Sequence, residues 1–375
     1  MKFLHLADLH LGKQLNDVSL LDDQKDILFN QIVPIAKEER VDAVLIAGDV
    51  YQRSTPQAEA MEVFSQFLSK LVDLGMSIFM ISGNHDSAQR ISYFAPLLKE
   101  SGVYVSEAFE GKMQSVTLQD QDGEIVIWML PFLRPAHVKR WLPEEKILTY
   151  QDAMTAVLRQ NPIDTKIRNV LICHQFITGS ETSESEEHSV GGLDNIDTAV
   201  FDDFDYVALG HIHKPQKMGR ETLRYAGSPM KYSFSEEKHK KSVTIVDMQV
   251  KGKIEVKTIP LYPIHDVRKV AGMINDILSM PYSEDYIWAT VYDENPSPDT
   301  RIMLKSTFPN MMKYSVVNSK TKIDMDVTAK EDMKSKSILE LFTDFYCLQH
   351  NGQSPENAHI REIEKVLKEL EEEDL

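Results

Sequence analysis

Five apolar runs, each three to five residues long and each closed by a cluster of metal-type donors, constrain this chain more than any other feature. The runs are Phe3-Leu4-His5-Leu6-Ala7, Ala43-Val44-Leu45-Ile46-Ala47, Ile78-Phe79-Met80-Ile81, Val170-Leu171-Ile172 and Tyr206-Val207-Ala208-Leu209. The clusters are Asp8-Leu9-His10, Gly48-Asp49, Gly83-Asn84-His85-Asp86, Cys173-His174 and Gly210-His211-Ile212-His213. Short apolar runs ending in Gly or polar residues are the pattern of buried strands. The donors therefore fall at the C-terminal ends of strands, where an α/β protein places its chemistry. Carboxylate, imidazole and amide oxygen suit hard or borderline divalent ions such as Mn2+.

Taken singly, each cluster is weak. Asp8 and His10 stand two apart and share one side of an extended chain, so the pair can grip one ion. Gly48-Asp49 alone is an ordinary turn, although a carboxylate has two oxygens and can bridge two metals. Asn84 offers a neutral amide oxygen, and Gly83 before it permits a tight turn. The pair His211 and His213 after Gly210 is more specific. Five such clusters in this order carry weight as a set.

In that order the motifs resemble the calcineurin-like metallophosphoesterase superfamily. Longer stretches are similar to the SbcD family of nuclease subunits within it: Asp8 to Gly12, Val190-Gly191-Gly192, Phe204 to Gln216 and Tyr225 to Glu236. The resemblance covers nearly the whole chain, strongest to about residue 240 and thin in the last hundred residues. It implies an α/β fold in which a β-sandwich is flanked by helices (α-β-β-α), with a small α+β capping domain and C-terminal helices. It also implies two divalent ions, by family habit Mn2+. One is expected on Asp8, His10, Asp49 and His213, the other on Asn84, His174 and His211, with Asp49 bridging. His85 is then left to protonate the leaving oxygen or stabilise transition-state charge. Asp86 either orients His85 or caps the following helix. One position departs from the family. Three residues beyond Asp49, relatives carry His or Asp, and here stands Gln52. It does not titrate near neutrality, so its expected part is a hydrogen bond to a phosphate.

The activity the resemblance implies is double-strand exonuclease and single-strand or hairpin endonuclease action on DNA, in end processing, replication and recombination repair. The implied partner is an SbcC-type coiled-coil ATPase. This chain has no Gly-x-x-x-x-Gly-Lys segment and is not itself that ATPase. Two other readings remain open: a general phosphoesterase acting on small molecules or phosphoproteins, and a catalytically silent DNA-end scaffold. The net charge of −17 runs against a nucleic-acid partner, because phosphates are neutralised by Lys and Arg. Part of it is local: residues 356–375 hold eight acidic side chains against three basic ones. A metal site adds positive charge that the formal count omits.

The expected boundaries are a nuclease domain over 1–258, a capping domain over 259–328, and a linker with partner-binding helices over 329–375. Helices are expected near 22–39, over 56–74 with Pro56 at its first position, and near 88–99. The apolar faces of the last two, around Phe64 and Phe94, serve either as core or as a surface for a homodimer. The Ser- and Glu-rich stretch 180–188 reads as a flexible loop, or as a gate to the site between whose motifs it lies. In the second domain a helix is expected over 267–278 and strands over 286–291 and 300–304. Lys305, Lys313, Lys320 and Lys322 make its second half basic, as a solvated face or a phosphate contact. Amphipathic helices follow, bearing Ile338 to Leu348 and Ile360 to Leu370, and either dock a partner or fold back on the main domain. No secretory signal or membrane-spanning run is visible, and two cysteines make no disulfide framework; the expected compartment is the cytoplasm.

Overall fold

The computed structural model describes residues 1–186, 195–318, 321, 338–349, 354–356 and 358–363. The chain opens with β1 (Lys2–Leu6) and a short hairpin, β2 (Gln14–Leu15) with β3 (Val18–Ser19). A helix over 21–38 follows, π-wound at Ile27–Ile32. Next come β4 (Ala43–Ala47), the helix Ala58–Asp73, β5 (Ser77–Ile81), short helical turns over 88–101 and β6 (Val103–Val105). β7 (Gln114–Asp120) and β8 (Gly123–Leu130) lead to helices Pro135–Trp141 and Tyr150–Arg159. They are followed by β9 (Arg168–His174), β10 (Tyr206–Gly210), β11 (Gln216–Met218), β12 (Arg220–Tyr225), β13 (Ser242–Met248) and β14 (Ile254–Pro260). The last stretch of this unit holds β15 (Val267–Gly272), the helix Ile274–Leu278, β16 (Tyr286–Val291), the helix Thr300–Thr307 and β17 (Met311–Val316).

The strands form two six-stranded sheets, ordered β14-β13-β1-β4-β5-β6 and β11-β12-β10-β9-β8-β7. β1, β4 and β5 run parallel as neighbours in the first, and β9 and β10 in the second. All five donor-bearing strands are therefore central and point their C-terminal ends the same way within each sheet. Period-two alternation sorts their side chains. Phe3, Leu45, Phe79, Ile127, Ile172 and Tyr206 meet in the core between the sheets. The alternate set of the first sheet, Leu4, Val44, Ile46 and Ile78, packs with Ile27, Phe64, Phe67 and Leu71 of the covering helices. That of the second, Leu171, Cys173 and Leu209, packs with Met154 and Val157. The result is the expected α-β-β-α sandwich.

A third, three-stranded parallel sheet, β15-β16-β17, carries its own small core of Ile277, Ile287, Ala289, Leu304 and Phe308. Residues 1–316 form one compact unit and those from 317 onward a second. Within the second, the described helix Ile338–Gln349 bears Tyr346, whose ring centroid lies 5.2 Å from that of His359. Among the described residues, no helix is long and apolar enough to cross a membrane.

Three expectations change. Residues 300–304 are helical: a strand would bury Ile302 beside Leu304, yet Ile302 is 71% exposed and the buried positions are Thr300, Leu304 and Thr307. Residues 267–272 are a strand, held by parallel pairing with β16, and the helix is confined to 274–278. Pro56 lies outside its helix, whose N-cap is Gln57. Of the two readings of the face around Phe64, Phe64 itself takes the core one, whereas Met61 on the same helix and Tyr93, Phe94 and Leu97 are exposed. Val190-Gly191-Gly192, the end of the acidic stretch, Lys320, Lys322, the lysine-rich linker and the chain after 363 lie outside the described residues.

Candidate metal centre

The donor loops are zipped together by their own backbones. Asp8 N–H donates to the Gly48 carbonyl (3.1 Å), and His10 N–H to that of Asp49 (2.9 Å). Asp8, His10, Asp49 and His211 all adopt positive φ, at 52°, 43°, 50° and 104°. Such backbones cost on the order of 1–3 kcal/mol each for non-Gly residues and persist where the surroundings hold them. Four of the seven positive-φ non-Gly residues described are thus candidate donors. The strain aims their side chains inward from the strand ends.

Close packing fixes the glycines beside them. A Cβ on Gly83 would lie 2.1 Å from Asp49 Oδ1. The tight turn expected at Gly83 is therefore less decisive than the space it leaves for Asp49. A Cβ on Gly210 would lie 1.8 Å from the Ala47 carbonyl and 2.7 Å from His174 Nδ1. That is where His174 hydrogen-bonds Ala47 O, at 2.8 Å. Gly210→Ala is expected to push the two sheets apart at this point, lowering stability by about 1–3 kcal/mol or more and weakening metal uptake. Thermal melts and a Mn2+ titration check this; a variant that matches wild type in both would show the contact to be yielding.

The structure brings every expected donor to one place. Asp49 lies centrally: its Oδ2 is 3.3 Å from His174 Nε2, 3.5 Å from His10 Nε2 and 4.0 Å from His85 Nε2. His10 Nε2 and His213 Nε2 are 3.1 Å apart. Asn84 Oδ1 is 3.0 Å from both His174 Nε2 and His211 Nδ1. Asp8 accepts the His211 N–H on Oδ1 (2.9 Å), while its Oδ2 is buried without a hydrogen-bond partner. Asp8, His10 and His213 form one triad of ligand atoms within 4.8 Å of one another, and Asp8, Asp49 and His174 form another. A third, His10, Asp49 and His85, shows that His85 reaches the same carboxylate. Unsatisfied buried lone pairs converging in this way are costly in a protein interior, and divalent ions would satisfy them. The donor set fits such ions.

Electrostatics agree with this. Burial pushes the Asp8 carboxyl up to about 6 and holds the His10 imidazole well below its ordinary value. Burial also opposes ionisation of Asp49, yet His174, His10 and His85 hold its carboxyl well below the usual range. Burial would lower His174 too, but the Asp49 charge lifts it to about 9.

His85 Nδ1 faces the Gln52 carbonyl at 3.1 Å, which turns Nε2 toward the centre. Asp86 does not perform that orienting role. Its carboxylate accepts N–H bonds from Val50 (3.1 Å), Tyr51 (3.0 Å) and Gly83 (2.9 Å), tying two donor loops together, and the helix cap is Ser87. Gln52 contributes its backbone to His85, while its side-chain Oε1 is buried without a partner.

Several residues at the site were not visible as candidates in the sequence. Glu236 Oε1 accepts from His213 Nδ1 at 3.1 Å, which leaves Nε2 for the centre. Carboxylates commonly orient metal-binding histidines in this way. Glu236 Oε2 pairs with Lys241 Nζ at 2.5 Å, and both side chains are buried. The acidic stretch is anchored here as well: Glu186 Oε1 accepts the His213 N–H at 2.8 Å, and Ser185 Oγ lies 2.9 Å from His213 Nδ1. Buried Gln24 fastens the first loop by donating to the carbonyls of Leu9 (3.0 Å) and His10 (2.8 Å). Glu236 closes the family-like stretch Tyr225 to Glu236 and Glu186 lies in the acidic stretch 180–188, but neither directly follows an apolar run as the donors do, and Gln24 lies within a helix, so none of the three stood out as a site residue.

Comparison with known proteins is consistent with this geometry. Residues 1–215 match the family described as calcineurin-like phosphoesterase. The SbcD component of the nuclease SbcCD from Staphylococcus epidermidis is 31% identical over 364 residues, covering 94% of this chain and 95% of that protein. A dimetal phosphatase from Danio rerio aligns structurally over 69% of this chain and 95% of its own, at 11% identity and a TM-score of 0.42. That structural likeness is too slight to bear on function.

Proposed function

Because this chain belongs to the calcineurin-like phosphoesterase family, and within it to the SbcD nucleases, it is a metal-dependent phosphodiesterase, and we propose that it cuts DNA with two Mn2+ ions. The observation that carries the reading is the central Asp49 carboxylate, with imidazoles on several sides and the Asp8–His213 and Asn84–His211 pairs flanking it. Asp8, His10, Asp49 and His213 would hold one ion; Asn84, His174 and His211 would hold the other, with Asp49 shared. Bound there, the ions supply charge neutralisation and an acidified water for in-line displacement at phosphorus. The chain's own residues do the rest. Asp86 and the Gly48–Asp8 backbone bond keep the donor loops in register. His85, held by the Gln52 carbonyl, presents Nε2 to the leaving oxygen, to protonate it or to stabilise its charge.

The wider proposal follows the relatives. The substrates are DNA ends and hairpins, cut exonucleolytically and endonucleolytically, and an SbcC-type ATPase supplies much of the grip that an acidic chain lacks. The capping segment 259–328 would bear on the substrate, and the helices from 338 onward would dock the ATPase. Exposed Tyr93, Phe94 and Leu97 would meet a second copy in a homodimer, in the cytoplasm.

The test is cleavage of a closed DNA hairpin with Mn2+, with and without the ATPase. Chelation should abolish cutting. His85→Ala is expected to lose about a hundredfold or more in rate while still taking up Mn2+. If it cuts as fast as wild type, the leaving-group role is wrong.

A further inference from the structure

One large concavity extends away from the donors and touches them only at Asn84. A groove of about 580 Å3 opens off Gly83 and Asn84 and reaches the helix Pro135–Trp141. Its lining includes Phe132, Arg134, Arg140 and Trp141. Phe132 stacks on His211, with ring centroids 6.3 Å apart and planes 22° apart. The Arg134 guanidinium lies 5.8 Å from the Phe132 ring centroid, and that of Arg140 lies 6.0 Å from Trp141. Flat and cationic groups thus run from a candidate metal donor out to the surface.

Charge and exposure both point to the occupant. The chain as a whole is strongly acidic, yet the exposed lining of this groove sets Arg134 and Arg140 against Glu110. The other acid there, Asp86, already accepts three backbone N–H groups. Trp141 is 44% exposed, leaving ring surface in solvent on the wall of a cleft. Guanidiniums pair with phosphate oxygens, and an aromatic face takes any base by stacking. The volume is that of a small-molecule site, room for a nucleotide or two of a single strand.

We infer that this groove holds single-stranded DNA continuing from the phosphodiester at the metal centre, with a base stacked on Trp141 and flanking phosphates on Arg134 and Arg140. The inference rests on the nuclease reading and adds to it the path of the strand. It also places cationic contacts on this acidic chain itself, beside whatever grip a partner supplies.

The experiment is an anisotropy titration of a short labelled oligothymidylate with the full-length protein in EDTA, which removes cleavage. Trp141→Ala is expected to raise Kd roughly five- to 150-fold, with Trp141→Phe recovering part of the loss. Arg140→Ala should raise Kd and reduce the log–log salt slope by about 0.7, the share of one single-strand phosphate contact. Lys166→Ala, an exposed lysine outside the groove, should match wild type. If the Trp141 and Arg140 variants bind like Lys166→Ala, the groove is not the strand site. Equal losses on blunt duplex would overturn the single-strand assignment. A wild-type protein that hydrolyses bis(p-nitrophenyl) phosphate but neither binds nor cuts DNA would instead refute the nuclease reading itself.

Discussion

Asp49→Asn is expected to abolish tight uptake of both ions and to slow phosphodiester hydrolysis by on the order of 10^4-fold, several kcal/mol of transition-state stabilisation. The substitution keeps the shape of the side chain, so the argument concerns charge. Asp49 Oδ2 lies 3.3 Å from His174 Nε2 and 3.5 Å from His10 Nε2, while Oδ1 takes the His85 N–H at 2.9 Å. The other buried carboxylate here, Asp8, also neighbours donors of both groups, but it approaches His174 only to 3.9 Å and on the Nδ1 side. An amide at position 49 offers one neutral oxygen, and its NH2 would face imidazole nitrogens that need to present lone pairs. Isothermal titration with Mn2+ and a single-turnover hairpin assay read the two losses separately. Two ions bound at wild-type affinity would remove Asp49 from the shared position.

The sequence made the site more legible than the fold around it. A donor cluster at a strand end needs an apolar run before it and a tight turn at it, and both are local patterns. Strand pairing is not local. β1 lies between β4, some forty residues on, and β13, some two hundred and forty residues on, and nothing in Phe3-Leu4-His5 specifies either neighbour. Only family resemblance points to the sandwich. Around the three-stranded sheet, the short runs 267–272 and 300–304 suit either period, and tertiary contacts make the first a strand and the second a helix, both against expectation. Phe64 shows the same limit on a helix. The amphipathic pattern marks a buried face without saying whether the chain's own sheet or a second copy buries it. Asp86 shows it for a polar side chain. Its neighbour in sequence is His85, but its partners in space are the N–H groups of Val50, Tyr51 and Gly83.

Glu236 is the least legible residue of the site, and its replacement carries the second large effect. Glu236→Ala is expected to cost about 3–5 kcal/mol of stability, because it leaves the Lys241 ammonium buried without its counter-charge. Lys241 is 4% exposed and its other partners, the His213 carbonyl at 2.8 Å and Ser228 Oγ at 2.7 Å, are neutral. The same change leaves His213 Nδ1 with only the neutral Ser185 hydroxyl beside it and should weaken metal binding about 10–100-fold, as losing a carboxylate behind a ligand does. Glu236→Gln separates the two losses. Its amide oxygen can still accept from His213, so metal affinity should stay closer to wild type, while Lys241 keeps only the weaker pull of Glu186 and Asp8. Burial already holds Lys241 below its ordinary value, against the pull of Glu236. Without that pull its folded pKa falls further, so the folded state binds fewer protons than the unfolded. Stability of the Gln variant should therefore rise with pH as Lys241 deprotonates, narrowing its gap to wild type up to about pH 10, the unperturbed lysine value. Denaturant melts across pH and Mn2+ titrations of both variants measure this. A Gln variant whose deficit stays constant with pH would show that Lys241 finds another anion, and an Ala variant that binds Mn2+ as wild type does would remove Glu236 from behind His213.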